Sequence, residues 1–183
     1  MRTWTRILLV SVVVVLALAG CSGKSHTAKP HLSSSPSSQP AAPKAPAAAS
    51  AHTQEGAVAF ARYWLGKLLP YTFSSLDSSQ LHATSLPSCT TCQNVINSVE
   101  AVRKDGQKYV GNDITILDAQ SPPVANSQSQ TVDVTYRAPA QQIVDKAGKT
   151  VSTDPASDHA VSELTLDWDS GHWMVHEVKL LGS

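Results

Sequence analysis

Cys89 and Cys92 stand in the run Ser88-Cys89-Thr90-Thr91-Cys92, directly ahead of a stretch with helical apolar spacing. A Cys-x-x-Cys pair at a helix start has three chemical uses. The thiols can close into a local disulfide, a thiolate favoured by the helix start can exchange disulfides, or the pair can supply two of the four ligands of a zinc site. The chain has three cysteines, so no second pair completes a closed zinc site. A thioredoxin-like centre would follow a buried strand in a βαβ unit. Here the pair follows Leu86-Pro87-Ser88, between two helical stretches. A structural disulfide is therefore the first expectation, worth about 2 kcal/mol by loop entropy, and redox cycling the second.

Histidines and carboxylates offer less. Three of the seven histidines, His26, His31 and His52, fall in a stretch without apolar pattern. His172 and His176 are four apart, a chelating distance on a helix. The surrounding Trp173, Val175 and Val178 read as strand, which separates the two by about 13 Å at about 3.3 Å per residue. No metal or other cofactor is expected. Alternation places Glu163, Thr165 and Asp167 on one strand face, and a neighbouring strand can present His176 beside them. Glu163, Asp167 and His176 are thus the acid/base candidates, although a solvated strand face explains them as well. No Gly-x-Ser-x-Gly elbow and no phosphate-cradling glycine loop is present, so no catalytic residue is assigned.

Cys21 has a different chemistry. Arg2 and Arg6 precede an apolar run, and Leu18-Ala19-Gly20-Cys21 closes it. From Ile7 to Gly20 the run is 14 residues, short of the roughly 20 that span a bilayer. Residues 1–20 read as a lipoprotein signal peptide, with Cys21 becoming the lipidated first residue. Two or more acyl chains, at about 0.8 kcal/mol per buried methylene, would hold the chain on the outer face of the plasma membrane. That is an oxidising setting, in which Cys89 and Cys92 should pair.

Residues 21–53 are rich in Ser, Pro and Ala, with Leu32 the one large apolar residue. Such a stretch is expected to be a disordered tether. Residues 54–183 form a single domain of 130 residues. All 14 acidic residues lie from Glu55 onward and five of the 14 basic ones lie in the first 44 positions, so the domain is net acidic by five. Nucleic acid is excluded as a partner on that ground.

The first helix is predicted over 54–68, with Thr53 as N-cap and Pro70 stopping it. Its Tyr63 and Trp64, with Trp168 and Trp173 later, are candidate core or pocket aromatics. A short helix at about 75–82 and a long one from Cys92 to Gly106 follow. Strands are predicted over 114–117, 131–137, 142–144, 149–151, 161–168 and 172–180, the last two joined at Asp169-Ser170-Gly171 so that Trp168 meets Trp173. Helices followed by strands give an α+β domain with N-terminal helices packed on an antiparallel sheet, the closing hairpin at its centre.

Phe60-Ala61-Arg62-Tyr63-Trp64, then Leu68-Leu69-Pro70-Tyr71, Leu81, Leu86-Pro87 and the Cys89/Cys92 pair ahead of a helix, resemble an uncharacterised family of actinobacterial lipoproteins over roughly residues 55–117. The order of elements is similar to the cone fold of the ketosteroid-isomerase type, which implies a curved sheet. That fold hosts isomerases, hydrolases and non-catalytic domains alike. Function at this level is a lipid-anchored, non-catalytic module that binds a protein, wall polymer or small apolar ligand. The alternative is a small-molecule enzyme using a cone pocket.

Overall fold

The computed structural model describes residues 40–123 and 128–182. The signal peptide, Cys21 and the tether up to residue 39 lie outside the described residues.

Thr53 caps the first helix through its side chain, which accepts from the Gly56 N–H at 3.1 Å, and helix α1 runs Gln54–Tyr63. Pro70 was expected to stop the helical path, and it does not. A π turn, Trp64–Leu68, intervenes, in which the Leu69 N–H reaches back to the Trp64 carbonyl, and helix α2, Leu69–Ser75, continues with Pro70 in its first turn. The wider turn shifts the hydrogen-bond register where proline has no N–H to give, and the helical path survives the ring. Helix α3, Ser79–Ala83, is one turn long. Helix α4, Thr90–Asp105, ends at Gly106, whose φ of 66° is the left-handed C′ geometry that glycine adopts without strain.

Among the described residues seven strands make two antiparallel sheets where the sequence suggested one. Strands β2 (Thr115–Gln120), β3 (Ser129–Ala138), β6 (Ser157–Asp169) and β7 (His172–Gly182) form the larger, in the order β2-β3-β6-β7. Strands β1 (Lys108–Val110), β4 (Gln141–Val144) and β5 (Thr150–Asp154) form the smaller, in the order β1-β4-β5. β1 is too short to carry a visible alternation in sequence. The closing hairpin is formed with Trp168 opposite Trp173 across the two-residue turn Ser170-Gly171, both at positive φ. Its apolar density predicts that both of its strands are central, and only β6 is. β3 and β6 are central, and β7 is a flank whose Val175 pairs with Ser85 in an isolated parallel bridge.

The core lies between the helical path and the inner face of the larger sheet. Phe60, Trp64, Leu65 and Leu68 meet Val132, Val134, Leu164, Leu166, Trp173 and Val175, all buried. A smaller cluster joins Val99 and Val102 of α4 to Tyr109 of β1, with Phe73 against the Tyr109 ring at 4.8 Å. Side chains of this size contribute about 1.5–3 kcal/mol each when fully buried. Trp168, expected among them, is only half-buried.

The domain begins earlier than residue 54. Residues 47–50 form a 3-10 turn, Ala49 is buried in the main core, and the Ala51 carbonyl accepts from the Trp173 indole at 2.9 Å. Residues 40–53, assigned to the tether from their composition, therefore form a strap across helix α1 and the start of β7. Gly56 makes room for it. A Cβ there would come within 2.0 Å of the Ala51 carbonyl oxygen.

Candidate functional site

A cleft of about 540 Å³ lies between the strap and the domain body. Pro43, Pro46 and Ala49 form one wall; Phe60 and Tyr63 of α1, Ala83 and Thr84 after α3, and Trp173 of β7 form the other. Each wall follows from local sequence. Helical spacing turns Phe60 and Tyr63 to the same side of α1, the tight hairpin turn sets Trp173 at the start of β7, and Ser85 pairing with Val175 holds the α3 exit beside it.

Three polar groups fix the strap over this space. The Tyr63 hydroxyl donates to the Pro43 carbonyl at 2.9 Å and lies 3.3 Å from Gln80 Oε1. Burial pushes the Tyr63 phenol above its ordinary pKa, so it remains a neutral donor. The Trp173 indole donates to Ala51, and His52 stacks flat on Trp168 while meeting the edge of Trp173 at 5.5 Å. The remaining polar groups on the cleft are Lys44, Ser50, Gln80, Thr84 and His172. Among the described residues no carboxylate lines it.

The four sequence candidates among the aromatics separate. Tyr63 and Trp173 line the cleft; Trp64 is in the core, its indole N–H without a partner among the described residues; Trp168 lies outside the cleft under His52. No sequence signal marked the strap wall except Gly56, an otherwise costly residue inside a helix.

The acid/base candidates are elsewhere. On β6 the inward residues are Ser162, Leu164 and Leu166, which leaves Glu163, Thr165 and Asp167 on the opposite, polar face of the sheet. His176 Nδ1 meets Asp167 Oδ2 at 2.7 Å there, and Glu163 meets Lys179 at 3.6 Å. The His176 side chain is 48% exposed and that of Asp167 30%. A shift of pairing between Thr165 and Leu166 places His176 at an irregularity of β7. A hollow of about 160 Å³ beside it is bounded by Ser88, Thr90, Thr91 and Glu177, too small for an ordinary substrate. His172 lies on the cleft and His176 on this other face. Among the described residues no group of three or more His, Cys, Asp or Glu could hold a metal.

Cys89 and Cys92 are disulfide-bonded, with S–S 2.02 Å. Both residues have zero exposure and belong to the main core. Cys89 also caps α4, its sulfur accepting from the Cys92 N–H at 3.2 Å. Disulfide exchange needs an attacking thiolate to reach a sulfur, and burial closes that approach.

The model of a family of unknown function, DUF6318, matches residues 27–179. No curated protein matches the chain. Among solved structures, the intermembrane space region of the chloroplast protein ARC6 is similar with 15% identity over 73% of this chain and 99% of that one, at a TM-score of 0.54. An uncharacterised protein with a cystatin-like fold from Caulobacter vibrioides is 12% identical over 70% of this chain and 88% of that one, at a TM-score of 0.41. An Rd1NTF2_05 variant is 13% identical over 66% of this chain and 96% of that one, at a TM-score of 0.36. At such identities the likeness concerns the fold alone.

Proposed function

We propose for this chain, which belongs to DUF6318, a family of unknown function, the role of a lipid-anchored extracytoplasmic module that binds a ligand without transforming it. The observation that carries this reading is the separation of cleft and chemistry. The cleft of about 540 Å³ is walled by proline, alanine and aromatic side chains, whereas the carboxylate–imidazole pair Asp167/His176 sits on the solvated sheet face outside it. Binding sites are concave and mostly apolar, with a few convergent polar groups, and catalytic sites add perturbed acids and bases within the same space. The cleft has the first property and lacks the second.

Localisation to the outer face of the plasma membrane is inferred from the signal peptide and Cys21, and membership of the actinobacterial lipoproteins from the resemblance carried by Phe60–Trp64 and the Cys89/Cys92 pair. In this reading the stretch left as spacer is residues 21–39, because the strap commits residues 40–53 to the domain. The partner is a protein, a wall polymer or a small apolar ligand that enters between strap and body.

Cell fractionation tests the anchor. Cys21→Ser is expected to move the protein from the membrane to the soluble fraction, since among the described residues no helix is long and apolar enough to cross a membrane. Retention of the variant in membranes at the wild-type level would overturn the lipid-anchor reading.

A further inference from the structure

We propose that the ligand of the cleft is an amphipathic anion, an unbranched or flat apolar body ending in a carboxylate or phosphate, held by Lys44 and Gln80. The inference rests on the binding reading above. Apolar walls from Pro43, Pro46, Phe60 and Trp173 select the body, and about 540 Å³ falls within the roughly 300–1,000 Å³ of small-molecule sites.

The polar end follows from what is left over once the strap's own bonds are counted. Tyr63 spends its hydroxyl proton on Pro43, and Trp173 spends its N–H on Ala51. Gln80 lies 3.3 Å from the Tyr63 oxygen, whose one proton is committed to Pro43, and its side-chain amide carries two N–H groups to give. Lys44 forms no ion pair among the described residues and contributes three donors and a full charge. His172 adds a ring nitrogen at the rim. Ser50 and Thr84 give their hydroxyl protons to backbone carbonyls, so the free donors of the cleft are those of Gln80 and the Lys44 ammonium, and no carboxylate among the described residues lines it to repel an anion or to attract a cation. That balance is notable in a domain that is net acidic by five from Glu55 onward. Neutral apolar ligands would leave Lys44 unused, and a cationic ligand would meet it with like charge.

Because the strap forms one wall, a bound molecule bridges it to α1 and β7. Occupancy stabilises the folded state by mass action.

Isothermal titration calorimetry on the full chain carrying Cys21→Ser, which removes acylation, tests this with four probes below their micelle-forming concentrations. These are dodecanoate, dodecyl phosphate, dodecan-1-ol and dodecyltrimethylammonium. Both anions are expected to bind more tightly than the alcohol, the cation weakest, and high salt is expected to weaken the anions alone. Lys44→Gln is expected to lower anion affinity ~3- to 10-fold while leaving the alcohol unchanged, the size of a partly exposed charge-assisted contact. The tighter of the two anions tells a fatty acid from a phospholipid-like ligand. Alcohol binding as tightly as dodecanoate, or no response to Lys44→Gln, would overturn the anion inference and leave the cleft as a binding site. Failure of all four probes to bind would overturn the anion inference, and failure of strap-cleft occupancy by any molecule in intact cells would overturn the binding reading itself.

Discussion

The imidazole of His52 lies on the indole of Trp168 with ring centroids 4.5 Å apart and planes 3° from parallel. A residue from the apparent tether thus covers one face of the closing hairpin, and Trp173 meets both rings edge-on, at 68° to His52 and 71° to Trp168. Aromatic contacts of this kind contribute about 0.5–1.5 kcal/mol beyond area burial. A double-mutant cycle of His52→Ala and Trp168→Ala is expected to give a coupling in that range, measured by chemical denaturation. Additive effects would mean that the stack is not held in solution.

Strap removal should cost more than that single contact. A fragment starting at residue 54 loses buried Ala49, the Tyr63 and Trp173 hydrogen bonds and the His52 stack. Its thermal midpoint is expected to fall by the equivalent of about 3 kcal/mol relative to a fragment starting at residue 40. Equal midpoints for the two fragments would put the domain boundary back at residue 54.

Gly56→Ala isolates the close approach. Alanine favours a helix interior by about 1 kcal/mol over glycine. Here its Cβ would sit 2.0 Å from the Ala51 carbonyl oxygen, a backbone atom that cannot swing aside. A net loss of about 1–3 kcal/mol is expected, and it should vanish in the fragment from residue 54, where the strap is gone. A stabilised full-length variant would show the strap to be loose.

Trp64→Ala is expected to cost about 3–5 kcal/mol, since Trp64 is 2% exposed in the core, and Trp168→Ala only about 1–2 kcal/mol. Comparable midpoints for the two variants would contradict this order. Their difference bears on what the sequence could tell. Helical spacing correctly grouped Phe60, Trp64 and Leu68, alternation grouped Leu164 and Leu166, and Thr53 and Gly106 marked helix ends, because each signal is local. The strap was illegible for the opposite reason. It buries one small side chain, Ala49, and binds largely through the carbonyls of Pro43 and Ala51, which every residue has and no composition displays. The split into two sheets and the flank position of β7 depend on long-range pairing. The π turn at Pro70 depends on how a proline is absorbed. The candidate site inherits the strap's invisibility: Tyr63 and Trp173 were singled out as aromatics, and the wall facing them was not.

Acid stability gives a further check. Hydrogen bonds from the Ser79 side chain and backbone N–H hold the Asp77 carboxyl below its ordinary value of 3.8. A carboxylate depressed in the folded state stabilises fully above 3.8, and that contribution is lost as pH falls through 3.8 toward the folded value. Asp77→Asn is therefore expected to flatten the acid limb of the midpoint-versus-pH curve while leaving its slope near neutrality unchanged. An acid limb as steep as that of the unmodified chain would remove Asp77 from the account.

Photo-crosslinking in intact cells addresses the central claim, that this domain binds its ligand between strap and body. A photoreactive residue at position 47, exposed on the strap wall, should yield an adduct of defined mass, and one at position 133, exposed on the polar sheet face, should not. Filling the cleft with Ala83→Trp should abolish the adduct from position 47. No adduct at position 47, or one at position 133 that is indifferent to Ala83→Trp, would contradict the claim and move the search to the face that carries Asp167 and His176.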